Sequence, residues 1–250
     1  MTKSIENIPY SSQNGPQLLD LYLPEGKNFP TLVYFHGGGL EGGDKQGHPF
    51  IPYLASRGIA VVSANYRMYP EARYPDFVQD AADAVAWTVR NVGSYGGDGR
   101  VFVGGSSAGG YLSMMLCFAE QYLGVHDIAP CRIAGWIFDA GQPTTHFRVL
   151  QERGADPRRL VCDQAAPLYH VGESFYDPPM LVLLAEQDME NRREQTLLLM
   201  STLTHFGCGK KAELQVIPHS LHTEYNQWLD EKGESVFGAI LFSFLKSQEK

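Results

Sequence analysis

The sequence lacks the features that mark membrane-spanning and nucleic-acid-binding proteins. Its longest apolar runs are of strand length, far short of the roughly 20 residues that a membrane span needs. Lys and Arg never cluster, and the formal net charge is −8, which argues against a nucleic-acid or anionic-membrane partner. The first residues carry no apolar segment like that of a secretory signal. These absences predict a cytoplasmic protein.

Cysteine is also scarce, with four residues in 250 and no C-x-x-C pair. Such sparse cysteines do not make a disulfide scaffold, so we expect buried, reduced thiols. Metal-binding spacings are missing as well. His219 and His222 are close in sequence, but there is no H-E-x-x-H and no nearby carboxylate–cysteine cluster. We therefore predict neither a metal nor a cofactor.

What the sequence does contain is an alternation of short apolar runs and amphipathic stretches. Continuous apolar runs suit strands that are buried on both faces of a parallel sheet. The alternation predicts an α/β fold with a mainly parallel sheet, in a single domain over residues 1–250. Residues 141–179 interrupt it and are interpreted as an insertion that forms a small cap. The predicted strands are 18–23, 31–35, 59–64, 101–103, 133–138, 180–184 and 214–217, and the predicted helices are 76–92, 108–120, 192–205 and 235–245.

The residues 105–109 read Gly-Ser-Ser-Ala-Gly and match G-x-S-x-G between an apolar strand and a helical stretch. A serine on such a sharp turn projects its hydroxyl away from the backbone, and flanking glycines relieve the crowding. The motif can be centred on Ser106 or Ser107. Centring on Ser106 puts Ala108 where the second glycine should be, so Ser107 is the predicted nucleophile, with the Ala108 amide as an oxyanion donor.

A second motif, His36-Gly-Gly-Gly, follows the predicted strand 31–35 and resembles the oxyanion loop found upstream of such a serine. The same stretch also satisfies the dinucleotide fingerprint G-x-G-x-x-G at Gly37, Gly39 and Gly42. That fingerprint requires an acidic residue at the end of the next strand, and Asn65 stands there instead. A nicotinamide cofactor is therefore disfavoured.

A serine nucleophile needs a base, and the base needs an acid, in the chain order serine, acid, histidine. Asp188 follows a predicted strand and is favoured as the acid over Glu186 and Glu190. His222 follows the last predicted strand and is favoured as the base over His219. His205 falls at the end of a predicted helix and is poorly placed.

The three motifs HGGG at 36–39, YRMYPE at 66–71 and GSSAGG at 105–110 together resemble the hormone-sensitive-lipase-like branch of α/β-hydrolases, including bacterial feruloyl and acetyl esterases. The resemblance extends from about Leu19 to His222. It implies cofactor-free hydrolysis of short acyl esters, with oxyanion amides at Gly38, Gly39 and Ala108. Ser106 replaces the usual Asp of the elbow. The short N-terminal part also implies that a large helical cap is missing.

We therefore expect a serine esterase acting on small carboxylic esters, such as short-acyl, acetyl or feruloyl esters of carbohydrates. Pocket walls are expected at Leu40, Tyr66, Phe147 and in the 141–179 insertion. Two alternatives stay open: a formamidase or amidase that uses the same Ser-His-Asp machinery, and a ligand-binding protein that has lost catalysis. The expected partner is a small ester, and the sequence does not specify an oligomeric state.

Overall fold

The computed structural model describes residues 3–11, 15–173 and 176–248. The strands are β1 Lys3–Pro9, β2 Leu18–Leu23, β3 Phe29–Phe35, β4 Ala60–Ala64, β5 Gly97–Ser106, β6 Gly135–Asp139, β7 Met180–Gln187 and β8 Ala212–Leu221. The α-helices are α1 Phe50–Ala55, α2 Asp76–Asn91, α3 Ala108–Phe118, α4 Gln121–Gly124, α5 Phe147–Glu152, α6 Pro167–His170, α7 Arg192–His205 and α8 Val236–Ser247. Short 3-10 helices cover Val92–Tyr95, Pro130–Arg132 and Glu224–Gln227.

All eight strands belong to one sheet with the order β1-β2-β4-β3-β5-β6-β7-β8. β2 is antiparallel to both of its neighbours. The strands β4, β3, β5, β6, β7 and β8, in this order across the sheet, are parallel to one another. Parallel strands need crossover connections, and the helices that make them cover both faces of the sheet. This is the predicted α/β class with a mainly parallel sheet.

Two hydrophobic cores lie on the two faces of this sheet. One core packs α2, α3 and α7 against the sheet, and the other packs α1 and α8 against it. Every residue of α3 is buried, so this helix is covered all round by neighbouring elements. The continuous apolar runs in the central strands follow from burial on both faces.

The seven predicted strands and four predicted helices are confirmed, with the bounds of α7 matching the prediction. One strand, β1, and four short α-helices, α1, α4, α5 and α6, were missed. β1 is a mostly exposed edge strand whose sequence, KSIENIP, is largely polar, and α1 is only six residues long with Pro52 inside it. Neither carries the periodic apolar pattern on which sequence-based prediction depends.

The insertion 141–179 contains two short helices, α5 and α6, with loops between them. Two backbone carbonyl groups of the insertion accept hydrogen bonds from the rest of the molecule. The Tyr111 hydroxyl donates to the Ala165 carbonyl oxygen at 2.8 Å, and the Tyr74 hydroxyl donates to the Gln164 carbonyl oxygen at 2.8 Å. In the described part of the chain, no helix has the length and apolarity to cross a membrane.

All four cysteines are free thiols, but the expectation that they are buried is only half right. Cys117 and Cys208 are buried, whereas Cys131 and Cys162 are exposed. The two exposed residues lie in segments that surround the sheet: Cys131 is in the 3-10 helix before β6, and Cys162 is in the insertion. Sequence position alone does not separate these environments.

Candidate active site

Ser107 lies on the turn that joins β5 to α3, in an unusual backbone conformation with φ 54° and ψ −111°. Its amide donates to the Asp139 carbonyl oxygen at 2.7 Å, which helps to hold the turn. A positive φ costs a non-glycine residue roughly 1–3 kcal/mol, and such strain is concentrated at functional sites. The turn projects the hydroxyl above the C-terminal edge of the sheet.

The two glycines of the motif are required by the close approach of β3. A Cβ atom at Gly109 would lie 2.0 Å from the Phe35 carbonyl oxygen, and one at Gly105 would lie 2.6 Å from the same atom. No real Cβ tolerates either distance. The spacing G-x-S-x-G therefore follows from the packing of the elbow against the end of the neighbouring strand.

The structure brings Ser107, His222 and Asp188 together, although they are far apart in the chain. The Ser107 hydroxyl oxygen lies 2.8 Å from His222 Nε2, and His222 Nδ1 lies 2.5 Å from Asp188 Oδ1. Asp188 also accepts from the Met189 amide at 2.7 Å, and its side chain is almost fully buried. With the His222 proton on Nδ1, Nε2 is free to accept the serine proton.

The competing acids and histidines lie elsewhere. Glu186 accepts from the His219 amide at 2.7 Å, and both of these side chains are exposed on the surface. Glu190 is exposed in the loop before α7, and His205 is exposed at the end of that helix. None of these four reaches the Ser107 hydroxyl.

The glycine loop that follows β3 lies directly against the elbow. A Cβ atom at Gly37 would be 3.3 Å from the Ser107 Cβ. Gly38 and Gly39 both have positive φ, 110° and 68°, and a Cβ at Gly38 would lie 2.0 Å from the Gly42 carbonyl oxygen. Side chains are therefore excluded from the loop that faces the serine.

Within the described residues, the amides of Gly38, Gly39 and Ala108 have no hydrogen-bond acceptor in the protein. The Ala108 amide is at the start of α3, where the helix leaves its first N–H groups unpaired and carries a partial positive charge. Unpaired donors next to a serine hydroxyl are available to a developing oxyanion.

His36 supports the glycine loop from below. Its ring stacks on Tyr66 with a centroid separation of 4.6 Å, and the Tyr66 hydroxyl donates to the His36 carbonyl oxygen at 2.9 Å. Burial lowers the pKa of His36, so this imidazole is neutral in the folded protein. Tyr66 and His36 therefore brace the loop as packed, uncharged rings.

Two of the three predicted pocket walls are wrong. Leu40 and Tyr66 are fully buried in the hydrophobic core and leave no surface for a ligand. Leu40 lies on the core side of the glycine loop, and Tyr66 lies under His36. Phe147 at the start of α5 is different: a Cβ at Gly39 would lie 3.3 Å from its ring, so this side chain contacts the loop and also lines a cavity.

A buried polar network next to the elbow was missed by the sequence analysis. Ser106 donates to Asp139, which also accepts from the Tyr225 hydroxyl and, at 2.9 Å, from Asn226 Nδ2. The Tyr34 hydroxyl lies 2.6 Å from the Ser106 hydroxyl. Asp139 is fully buried and has no cationic partner among the described residues, and burial raises the pKa of its carboxyl group.

This network explains the two serines of the elbow. The Ser106 hydroxyl points into the core and forms hydrogen bonds there, whereas the Ser107 hydroxyl faces His222. Asp139 ends β6 in register with Ser106, so an acid that closes an apolar strand beside the motif was the available signal. Tyr225 and Asn226 come three and four residues after His222, which places the base and the elbow on one network.

No group of His, Cys, Asp and Glu side chains that could hold a metal ion is found among the described residues. The groups available at this site are a hydroxyl, an imidazole, a carboxylate and unpaired amides. These suit proton transfer and nucleophilic attack on a carbonyl group.

Comparisons with known proteins concern the fold and the first half of the chain. Residues 19–129 match the BD-FAE family model, a range that includes the glycine loop and the elbow but not Asp188 or His222. A truncated carbohydrate esterase from gut microbiota superposes with a TM-score of 0.81 over 99% of this chain and 97% of its own, at 19% identity. The chain has the α/β-hydrolase fold.

Two curated relatives of this chain come from Mycobacterium tuberculosis. Carboxylic ester hydrolase LipN is 36% identical over 131 residues, which are 50% of this chain and 34% of LipN. Esterase LipQ is 27% identical over 209 residues, which are 73% of this chain and 48% of LipQ. The chain thus spans between a third and a half of the length of these relatives.

Proposed function

We propose that this protein, which has the α/β-hydrolase fold, is a serine esterase that hydrolyses small carboxylic esters through an acyl-enzyme. The observation that carries the proposal is the continuous hydrogen-bonded line from Ser107 through His222 to Asp188, on a strained strand-to-helix turn. The names of LipN and LipQ, both ester hydrolases, support ester over amide substrates.

The proposed reaction has two halves. In the first, His222 Nε2 takes the Ser107 proton as the serine oxygen attacks the ester carbonyl, and the alcohol leaves with that proton. In the second, water gives a proton to His222 and attacks the acyl-enzyme, which releases the acid and restores the serine. Asp188 holds the imidazole in the required tautomer and stabilises its charged form.

The amides of Gly38, Gly39 and Ala108 are the proposed oxyanion donors in both halves. They have no acceptor within the described residues, so they would not have to break a protein hydrogen bond when negative charge develops. One such donor is typically worth about 2.7–4 kcal/mol in the barrier.

The proposed substrates carry short acyl groups, including acetyl or feruloyl esters of carbohydrates. The BD-FAE match and the carbohydrate esterase among the structural neighbours support this class. The cap supports it as well, since its two described helices, α5 and α6, are only six and four residues long.

The test compares Ser107→Ala with Ser106→Ala, using p-nitrophenyl acetate and an N-formyl aryl amine as substrates. Ser107→Ala is expected to lower kcat by at least about a thousandfold, because the nucleophile is lost. Ser106→Ala removes one hydroxyl from the Asp139 network and should keep the nucleophile. An enzyme that loses its activity only in Ser106→Ala would contradict the assignment. Faster hydrolysis of the N-formyl substrate would make the protein a formamidase.

A further inference from the structure

A cavity of about 620 Å³ lies between the cap and the start of α7, beside the proposed active site. Met189, adjacent to Asp188, forms one part of its wall, and Phe147, which contacts the glycine loop, forms another. The cavity is large enough for one half of a small ester. Its wall also contains side chains that have no role in the proposed reaction.

The most unusual of these side chains is Arg192, in the first turn of α7. It is 4% exposed, it makes no ion pair, and its Nε and Nη1 atoms are buried with no hydrogen-bond partner in the described chain. Burial lowers the pKa of Arg192 to about 10, opposed by the charge of Asp188, so the guanidinium is still charged at neutral pH. An unpaired buried charge is costly, which indicates that something outside the chain completes it.

Gln195 lies one turn further along α7, on the same face as Arg192. Its Oε1 accepts from the Thr144 hydroxyl at 2.7 Å, which fixes the amide and leaves Nε2 as a donor toward the cavity. Gln195 is buried to a similar degree, with 5% exposure. The two donors lie on one face of the helix, and one of them is charged. Together they form a site that suits a carboxylate group.

The remaining charges at the cavity do not neutralise Arg192. Arg158 forms an ion pair with Asp156 at 2.7 Å and satisfies that carboxylate, and Arg159 also lines the wall. Glu190 is exposed at the rim. Asp188 is bound to His222, as described above. The interior of the cavity therefore presents a net positive charge on a molecule with net charge −8.

We propose that this cavity is a subsite for a carboxylate on the substrate, held by the Arg192 guanidinium and by Gln195 Nε2. The guanidinium would supply a charge-assisted hydrogen bond to the carboxylate, and the Gln195 amide would supply a neutral one. The inference rests on the proposed esterase function and narrows its substrates to esters that bear a second, ionised carboxyl group.

The kinetic test uses substrate pairs that differ only in charge. On the alcohol side the pair is para-acetoxybenzoate and para-acetoxybenzamide, and on the acyl side it is mono-p-nitrophenyl adipate and its terminal carboxamide. In the wild type, kcat/KM should be higher for the anionic member of at least one pair. Arg192→Met should lower the ratio of anionic to neutral kcat/KM by at least about tenfold.

Arg193→Met is the matched control, because Arg193 is exposed on the next position of the same helix. The ratio should be unchanged in this variant. A wild-type ratio near one for both pairs, or an equal fall for both members in Arg192→Met, would overturn the subsite. The second result would make Arg192 a positioning residue that acts through Asp188.

Two further measurements do not depend on turnover. Calorimetry on Ser107→Ala should show binding of para-acetoxybenzoate that weakens at least about tenfold when Arg192→Met is added. Arg192→Met should also raise the Tm of the free protein by a few degrees, since a buried unpaired charge is removed. If the wild type cleaves neither these pairs nor p-nitrophenyl acetate, the esterase proposal fails, and calorimetry decides the subsite. Equal binding with and without Arg192 would reject it.

Discussion

Ser107 and Ser106 are neighbours with opposite environments, and this contrast is decided by the turn. The positive φ of Ser107 turns its side chain toward His222, whereas the preceding residue still follows β5 and points into the core. The choice of Ser107 from the glycine spacing agrees with this placement. The role of Ser106 was not predictable, because its partners Asp139, Tyr225 and Asn226 come from distant parts of the chain.

Asp139 is expected to be the residue outside the proposed triad on which the site most depends. Asp139→Asn should lower the free energy of unfolding by about 1–3 kcal/mol, because the new amide donors face the Ser106, Tyr225 and Asn226 donors. The kcat for p-nitrophenyl acetate should fall as well, since the network joins the elbow to the segment after His222. Urea denaturation and initial rates measure the two effects.

The matched control for that substitution is Asp127→Asn, at an exposed turn position with φ 59° that asparagine adopts readily. It should leave both quantities unchanged within about 0.5 kcal/mol. Equal stability of Asp139→Asn and Asp127→Asn would mean that the buried network does not hold the elbow in place.

Among the secondary-structure elements, α5 is the part of the cap that contacts the glycine loop, through Phe147. The N-terminal cap of this helix depends on a neutral histidine. His146 is the N-cap of this helix, and its Nδ1 accepts from the Arg148 amide at 3.2 Å. Burial holds the pKa of His146 well below its usual value, and the charges of Arg192 and Arg148 act in the same direction. Protonation of Nδ1 would remove the acceptor and the cap.

This arrangement predicts a loss of stability in mild acid. The unfolded chain binds a proton at His146 near pH 6.5, whereas the folded protein does not, so the unfolded state gains protons as the pH falls. The free energy of unfolding should therefore decrease between about pH 6.5 and pH 5. His146→Gln should reduce this pH dependence, and His205→Gln, at an exposed position, should not. Identical pH profiles for all three proteins would contradict the account.

The helices and strands show which parts of the fold can be predicted from the sequence. The bounds of α7 and β2 were predicted correctly, and Pro24 directly marks the end of β2. β1 was missed because an exposed edge strand needs no apolar face, and α1 because a six-residue helix is too short to show a period. Packing across the sheet, rather than local sequence, decides these elements.

At the scale of the molecule, the sheet topology brings the proposed triad together. Ser107 follows β5, Asp188 follows β7 and His222 follows β8, and the C-terminal ends of these parallel strands meet at one edge. Chain order and strand ends were therefore sufficient to select Asp188 and His222. The pocket walls could not be predicted in the same way, because the exposure of Leu40 or Tyr66 depends on which face of the glycine loop packs against the core.

The small size of the cap leads to a prediction on substrate length. Acetyl and butyryl p-nitrophenyl esters should be cleaved with higher kcat/KM than esters beyond about ten carbons, because the cap helices α5 and α6 are only six and four residues long. A series of p-nitrophenyl esters of increasing length measures this. A maximum at the long-chain end would show that the cap opens to form a larger site.

The central claim is that Ser107 is a nucleophile activated by His222, and covalent labelling tests it most directly. A fluorophosphonate probe, followed by intact-mass measurement and peptide mapping, should add one equivalent to the wild type, located on Ser107. The label should persist in Ser106→Ala and disappear in Ser107→Ala. A label on Ser106, or a properly folded wild-type protein that takes up no label, would contradict the account.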